Sequence, residues 1–269
     1  MSLRRAQGLY TQPRKAGKIS RIPGINAASS FFKDEESTDA LNGLIAKVSL
    51  PLAALEEKLA IDASGFRTTS FNHYRKEKYE PLKRNVWEKC HIIVGVHTNV
   101  IPAVIVTDGN APDGAQFPEL LESAFKLGFN VRQVFADKAY LSRKNFAVAA
   151  SLNVDAVIPF KSNSRGKSHG VPVWHRKFLE WQPDPGCLEQ NGYFLRENVE
   201  SDFSAIKRMF GETIRSRNPT AMRNELLCKV FVYAVALLIH AMHLSDRKIS
   251  LHDYSPPCTN NTTVSTAFS

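Results

Sequence analysis

The segment VRQVFADKAYLSRKNFAVAASLNVDAVI (131–158) is the part of the chain that decides the fold. Residues 131–136 form an apolar run typical of a strand, and residues 142–151 have the pattern of a helix. Residues 154–158 indicate a second strand, which Pro159 ends. Two strands joined by a helix run parallel in one sheet. The segment therefore predicts an α/β fold with a parallel pair of strands.

Two further strands precede this unit. Residues 90–97 (CHIIVGVH) and 101–106 (IPAVIV) are separated by the turn residues Thr98 and Asn99, which predicts a hairpin. Residues 116–128 place leucines at helical spacing and end at Gly128, which predicts a helix. A hairpin beside strand–helix–strand units implies a mixed sheet with helices on its faces.

Two aspartates share one setting in this pattern. Asp62 follows the short apolar run 59–61, and Asp137 follows the strand 131–136, so we expect both at strand ends. In open α/β sheets, active-site groups gather at the carboxyl ends of strands. Adjacent carboxylates repel unless a cation lies between them, and their oxygens suit Mg²⁺ or Mn²⁺. For each aspartate alone, a turn cap is the favoured alternative.

Residues 193–211 (YFLRENVESDFSAIKRMFG) predict a helix with two adjacent stripes. At 100° per residue, one narrow polar stripe contains Tyr193, Arg196, Glu200 and Lys207. The neighbouring apolar stripe would pack on the sheet, which brings the polar stripe to the edge of the buried face. An ordinary amphipathic helix with an i,i+4 pair between Arg196 and Glu200 remains the alternative.

At these residues the sequence resembles a known family. The spacing Tyr-x2-Arg-x3-Glu-x6-Lys is the signature of the DDE transposases of prokaryotic insertion sequences. The segment AIDASGF (60–66) is similar to the family's first-Asp motif, and FADKAY (135–140) is similar to its second. VTDGNAPDGAQF (106–117) and NELLCKVFVYAVALLIHAM (224–242) also resemble family segments, in the same order along roughly residues 50–243.

The resemblance implies an RNase H-like mixed sheet flanked by helices, with a polar insertion before the Glu-bearing helix. It implies a catalytic and metal-binding triad of Asp62, Asp137 and Glu200 that holds Mg²⁺ or Mn²⁺, as two ions. It also assigns DNA-binding or supporting roles to Tyr193, Arg196 and Lys207. The charged residues nearest these motifs complete the set of expected phosphate contacts: Lys138, Arg208 and Lys161.

The charge of the chain agrees with a polyanionic partner. The formal net charge is +9, and 43% apolar residues with 23% charged residues exclude a disordered or low-complexity chain. Residues 1–33 carry seven cations and no acid, and residues 138–177 carry eight cations against Asp155 alone. Double-stranded DNA, as element ends and target, is the expected partner. Because two DNA ends must be held together, we expect a homodimer on DNA.

Three regions are expected along the chain. Residues 1–47 form a basic N-terminal arm, residues 48–245 the catalytic domain with an insertion at about 160–190, and residues 246–269 a polar, disordered tail. The family usually has a longer region before the catalytic segment. Two interpretations therefore stay open: other surfaces recognise the DNA ends, or this is a shortened copy.

The expected location is the cytoplasm of a prokaryote, at the nucleoid and not in a membrane. The scattered cysteines indicate reduced thiols, and no secretory signal is visible. Residues 226–242 are the one candidate span, and a packing helix is the favoured interpretation because they include Lys229 and His240.

The leading hypothesis is a metal-dependent transposase that cuts DNA at element ends and transfers the freed strand. A truncated or inactive remnant that only nicks DNA, and a DNA-binding protein without catalysis, are the rivals. Asp108 and Asp113 are interpreted as turn residues, and His240 and His243 as structural. Trp174 and Trp181 are expected to pack the insertion rather than to stack on a base.

Overall fold

The hairpin and the strand–helix–strand unit belong to one mixed sheet. The computed structural model of the chain describes residues 8–24, 26–68, 87–181 and 186–245. Its strands are ordered β3-β2-β1-β4-β5, and β6 also pairs with β1. The strands are β1 (Lys58–Thr68), β2 (Trp87–Gly95), β3 (Ala103–Asp108), β4 (Gln133–Ala136), β5 (Asp155–Val157) and β6 (Thr213–Ile214).

The directions of the strands confirm the predicted mixed sheet. β1 and β2 are antiparallel from Leu59↔Gly95 to Arg67↔Trp87, and β3 continues the antiparallel half. β4 and β5 run parallel to β1. The central strands carry continuous apolar runs because both of their faces are covered: Leu59, Ala60 and Ile61 are all fully buried.

Helices pack on this sheet in two groups. The described helices are α1 (Thr11–Lys15), α2 (Ala27–Lys33), α3 (Glu36–Ser49), α4 (Phe117–Lys126), α5 (Arg143–Ser151), α6 (Pro172–Trp181), α7 (Gly186–Gln190), α8 (Glu197–Phe210) and α9 (Pro219–Ser245). α4 packs against β2, β3 and α5, whereas α9 packs against α2, α3, α8 and the β2–β3 half of the sheet. α4 ends as predicted, with Gly128 at a φ of 87°.

α3 begins within the polar segment 33–39. Ser37 and Asp39 are residue types that often cap a helix, but neither of them caps α3. The Glu36 amide donates to Asp34 Oδ1 at 3.1 Å, and Ser37 is buried inside the helix. Residues 27–33, which the sequence places in the basic arm, form α2 against α9.

The insertion is more regular than the sequence pattern indicates. The sequence predicts only a polar insertion at about 160–190, yet α6 and α7 lie there. In α6, the buried residues Trp174, Lys177 and Trp181 recur at helical spacing. Because one residue of this buried stripe is a lysine, a pattern based on apolar residues alone does not detect the helix. Lys177 is buried because its Nζ binds Asp155 Oδ1 at 2.7 Å and lies 4.7 Å from the Trp181 ring centroid.

β1 changes partners along its length, which the sequence does not indicate. Its first half pairs with β4 up to Ile61↔Ala136, and its last residues pair with β6 from Arg67↔Thr213. Among the described strands, none pairs with residues 62–66 on that side of β1. Asp62 is therefore inside a strand and not at its end, which corrects the prediction. A notch in the sheet opens beside it.

α9 is the one described helix that is long and apolar enough to cross a membrane, by length and composition alone. Core helices of other proteins pass the same test. Leu226, Leu227 and Val230 of α9 are buried against the rest of the chain. One face of α9 therefore packs against the chain, as the sequence favoured, whereas Val232 and Ile239 of α9 are about half exposed.

A buried glutamate fixes the turn between β2 and β3. Glu56 Oε1 accepts hydrogen bonds from the backbone amides of His97 and Thr98, and Glu56 is only 1% exposed. Burial raises the pKa of Glu56 above its ordinary value. Gly95 leaves room for this carboxyl, because a Cβ there would lie 2.5 Å from Glu56 Cδ.

Gly95→Ala should therefore destabilise the protein by about 1–3 kcal/mol, since the added methyl group forces the Glu56 carboxyl away from the turn. Gly43→Ala is the matched control: Gly43 lies in α3, and beyond its own helix backbone a Cβ there would meet no atom within 4 Å. It should stabilise the protein by about 0.5–1 kcal/mol. Urea unfolding of both variants measures this, and equal effects would contradict the assigned role of Glu56.

Candidate functional site

The pairing of β1 with β4 brings the two predicted aspartates together. The last paired residues are Ile61 and Ala136, so Asp62 and Asp137 come next at the same level on neighbouring parallel strands. β1 continues past this point, whereas β4 ends and the chain turns away. The two carboxylates thus border the notch between β4 and β6.

Asp137 is held by the turn that follows β4. Its Oδ1 accepts a hydrogen bond from the Ala139 amide at 2.7 Å, which caps a single 3₁₀ turn, Lys138–Tyr140. Asn145, which is 1% exposed, binds this turn from the protein interior. Its Nδ2 donates to Tyr140 O at 2.8 Å and to Gly114 O at 2.9 Å. Asn145 thereby joins the Asp137 turn to the segment after β3.

Glu200 approaches the same notch from α8, with a different local structure from the one predicted. The helix begins at Glu197, and Tyr193–Arg196 forms a separate 3₁₀ turn. Residues three apart eclipse one another in a 3₁₀ turn. The Arg196 guanidinium accordingly lies over the Tyr193 ring, 5.8 Å from its centroid.

Arg196 connects the predicted acidic residues. Its guanidinium lies 3.4 Å from Asp62 Oδ2, and its other terminal nitrogen donates to Glu200 Oε1. The side chains of Arg196 and Asp62 are both 17% exposed, whereas that of Glu200 is 54% exposed. The i,i+4 pair that the sequence left as an alternative is therefore present, and it extends across to the sheet.

The charge balance at Asp62 is unfavourable to its ionised form. Burial raises the pKa of Asp62 to about 6, and the charges of Asp137 and Glu200 act in the same direction. The Ala63 amide, which donates to Asp62 Oδ1, and the Arg196 charge only partly offset this. A cation beside Asp62 would favour its ionised form.

Two buried groups near this site were missed by sequence reasoning. Tyr140 is 1% exposed, and within the described part of the chain its hydroxyl has no hydrogen-bond partner. Burial raises its pKa, with further contributions from Asp62, Asp113 and Asp137. His91 lies inside the apolar run of β2, where burial lowers its pKa to about 4. The sequence did contain a signal for both groups: Tyr140 is a polar residue within the segment 135–140, and His91 is one within the apolar run 90–97.

The donor chemistry of the site fits a divalent ion. Asp62, Asp137 and Glu200 supply hard carboxylate oxygens, and the charges of Asp62 and Asp137 act on the Tyr140 hydroxyl, which has no hydrogen-bond partner within the described residues. As the side chains stand, no three His, Cys, Asp or Glu residues in the described ranges lie close enough to hold a metal. The positively charged guanidinium of Arg196 lies between Asp62 and Glu200 and contacts both carboxylates.

The remaining predicted residues surround the site at different depths. Lys207 lies 5.2 Å from the ring centroid of Phe66, on the same strand as Asp62. Lys138, in the Asp137 turn, and Arg208, in α8, are exposed, as is Lys161 after β5. Lys177 of the same basic run is buried in its pair with Asp155, so it is not available to a ligand.

Several secondary interpretations can be compared with the structure. Asp108 is a turn residue, because its Oδ1 accepts from the Asn110 amide at 2.8 Å. Asp113 lies in a 3₁₀ turn and also binds Lys89 Nζ at 2.9 Å, an ion pair that we did not expect. Trp174 and Trp181 are 5% and 3% exposed and pack the insertion, as predicted.

A buried pair holds α8 in place behind Glu200. The Tyr233 hydroxyl of α9 donates to Asp202 Oδ1 at 2.6 Å. Asp202 is 1% exposed, and burial raises its pKa to about 7. Lys229 of α9 adds a second attachment, because its Nζ donates to the carbonyls of Gly211 and Thr213 after α8.

Comparison with known proteins identifies a family and solved structures that the chain resembles. The family model described as "Transposase DDE domain" matches residues 53–235, more than half of the chain. A solved structure titled "Crystal structure of a pre-cleavage Mos1 transpososome" is 13% identical, over 91% of this chain and 71% of that one. Its TM-score of 0.29 is too low to bear on the fold or the site.

The Asp202–Tyr233 pair should give stability a specific pH dependence. Because the pKa of Asp202 is raised on folding, its contribution is complete below about pH 4, where the unfolded carboxyl titrates, and is lost as pH rises through about 7. Asp202→Asn should remove this loss and make the protein more stable than the wild type at about pH 8, by up to about 4 kcal/mol.

Thermal and urea unfolding across this pH range measures the effect. Glu197→Gln is the matched control, because Glu197 is an exposed carboxylate in the same helix. It should keep the wild-type pH dependence. If Asp202→Asn keeps it as well, the carboxyl at 202 does not titrate as its burial implies.

Proposed function

This chain belongs to the DDE transposase family, and we propose that it is a metal-dependent transposase of a prokaryotic insertion sequence. It would cut DNA at the ends of the element by hydrolysis and join the freed 3′-hydroxyl to target DNA. The observation that supports this most directly is the register of β1 with β4, which places Asp62 and Asp137 side by side. Glu200 is connected to Asp62 through Arg196.

In this proposal Asp62, Asp137 and Glu200 are the catalytic and metal-binding residues. DDE transposases use divalent metal ions, and Mg²⁺ or Mn²⁺, as two ions, would activate the attacking oxygen and stabilise the leaving one. The chain contributes the positions of its carboxylates. Asp137 is held by the Ala139 amide and Asp62 by the Ala63 amide, each through one carboxylate oxygen. Asn145 supports the Asp137 turn from its buried position.

The basic and aromatic residues of the site would position the scissile phosphate. Phosphodiester transfer needs mainly positioning and charge neutralisation from a protein. Arg196 is the residue best placed for this, because its guanidinium already lies among the carboxylates and over Tyr193. Lys207 on α8 and Lys138 in the Asp137 turn would contact the DNA backbone on either side, and Arg208 and Lys161 would do so further out.

The proposal extends to the partners and the location of the protein. Its substrate would be double-stranded DNA, held by a homodimer in the cytoplasm at the nucleoid. The catalytic domain would comprise residues 48–245, of which the family match covers 53–235. A non-catalytic DNA-binding protein is the second candidate. It is favoured by the observation that Arg196, rather than a third carboxylate, stands beside Asp62.

Cleavage of supercoiled plasmid with Mg²⁺ or Mn²⁺, against EDTA, tests the proposal. Asp62→Asn, Asp137→Asn and Glu200→Gln should each lower metal-dependent nicking by at least about a hundredfold, since each removes a charge that the reaction requires. Glu197→Gln should nick like the wild type, because this exposed carboxylate lies outside the notch. Nicking that survives Asp137→Asn would refute the site.

Strand joining separates the proposal from its alternatives. A labelled oligonucleotide with a free 3′-hydroxyl should become linked to plasmid DNA in a reaction that Asp137→Asn abolishes. Metal-dependent nicking without joining would identify a nickase. Salt-sensitive DNA binding that none of the three acidic variants alters, without any cleavage, would identify the non-catalytic protein.

Arg196→Gln should affect metal and DNA in opposite directions. The substitution removes a cation that competes for Asp62 and Glu200, so we expect severalfold tighter Mn²⁺ binding by calorimetry without DNA. It should weaken DNA binding at the same time. Arg208→Gln, on the exposed face of α8, is the control and should leave Mn²⁺ affinity unchanged. Weaker Mn²⁺ binding by Arg196→Gln would contradict the competition.

A further inference from the structure

A basic groove lies next to the proposed active site, on the β4–β5 flank of the sheet. It has a volume of about 520 Å³. It begins at Leu141, directly after the 3₁₀ turn that follows Asp137, and its far wall is the loop 161–170. The lining residues are Leu141, Arg143, Lys161, Asn163, Ser164, Arg165, Lys167, His169 and Trp174.

The floor of the groove is rigid and aromatic. Trp174 packs edge-on against Phe146 and Phe160, with ring centroids 5.7 and 4.8 Å apart. Arg143 lies over the Trp174 ring at 4.4 Å from its centroid. Since Trp174 is only 5% exposed, it supports the groove and does not offer a face to a ligand.

The loop that forms the wall of the groove is held in place through its backbone carbonyls, and its charged side chains are exposed to solvent. Arg143 donates to the carbonyls of Lys167 and Arg165, and Trp174 Nε1 donates to Arg165 O at 2.9 Å. His175 Nδ1 is 2.7 Å from Gly166 O. These bonds hold the loop through main-chain oxygens, so the charged side chains of Arg165 and Lys167 remain exposed.

The charge of the groove is unbalanced. None of its nine lining residues is acidic, while four of them are lysine or arginine. No ion pair within the described ranges involves Lys161, Arg165 or Lys167. Elsewhere in the insertion such charges are neutralised, as in the buried pair of Lys177 with Asp155. Unpaired cations lining a concave surface attract a polyanion.

We propose that this groove binds the phosphate backbone of the DNA strand that continues from the active site. This rests on the proposed function and adds a non-catalytic binding site to it. Continuity with the Asp137 turn favours DNA over a small anion, because a strand leaving the carboxylates would run along Leu141 into the groove. Its volume is also several times what one phosphate group occupies. Recognition would be independent of sequence, as backbone contacts are.

The test is the salt dependence of DNA binding in EDTA, where no cleavage occurs. Binding of a fluorescent duplex of arbitrary sequence is measured by anisotropy at several salt concentrations. The double variant Arg165→Gln/Lys167→Gln should reduce the magnitude of the slope of log K against log salt by about 2, because each lost phosphate contact reduces it by about 0.9. Folding should persist, because both residues bind the rest of the protein through their carbonyls.

Lys47→Gln/Lys126→Gln is the matched control with the same change in charge. Both lysines are exposed, lie in the last turns of α3 and α4, and are not among the residues that line the groove. This variant should keep the wild-type slope. Equal slopes for the groove variant and the wild type would overturn the groove, while leaving metal-dependent cleavage, and so the proposed function, intact.

Acetylation of lysines followed by mass spectrometry locates the contact without any substitution. Bound duplex should protect Lys161 and Lys167, while Lys47 and Lys126 stay reactive. Full reactivity of Lys161 and Lys167 on bound DNA would overturn the proposal. Inorganic phosphate distinguishes the other source of the same chemistry: protection by phosphate alone that duplex does not reproduce would identify a small-anion site and also overturn it.

Discussion

The parallel pairing of β1 with β4 is the constraint on which the candidate site depends. The pair ends at Ile61↔Ala136, and the next residue on each strand is an aspartate. Because β1 goes on to pair with β6 while β4 turns away, the sheet opens at this level. Residues 62–66 of β1 have no partner strand on this side among the described strands. The Asp137 turn and the residues that precede α8 occupy this position instead.

Electrostatics at this notch explains why an arginine stands there. Asp62 and Asp137 lie side by side at the notch, and Glu200 is linked to Asp62 through Arg196. Burial raises the pKa of Asp62 to about 6, and the charges of Asp137 and Glu200 act in the same direction. Arg196 lowers the cost by bridging Asp62 and Glu200. A cation is thus part of the stable arrangement, and a divalent ion would replace one positive group by another. Asp202 of α8 pairs with Tyr233 of α9, and Lys229 of α9 binds the Gly211 carbonyl directly after α8, so both contacts hold the Glu200 helix against α9.

The insertion combines a buried aromatic cluster with an exposed basic loop. Phe160, Trp174 and Trp181 of the insertion contact Phe146 of α5, so the insertion packs onto the main hydrophobic core. The loop of the insertion is held by hydrogen bonds to its main-chain carbonyls, so its charged side chains are not needed for folding. Lysines and arginines that have no role in packing can then serve a ligand. Lys177 shows the opposite solution, since its charge is used within the fold.

Sequence alone determined the order of strands and helices, because apolar periodicity and turn residues are local properties. The runs 90–97, 101–106 and 131–136 became β2, β3 and β4, and the family pattern supplied the candidate residues. Tertiary structure alone decided that Asp62 lies within a strand, that Tyr193 and Arg196 precede α8, and that α6 packs through a lysine. It also decided that Tyr140, Asn145 and the basic groove belong beside the site. These features depend on pairings between residues far apart in the chain, which no local pattern encodes.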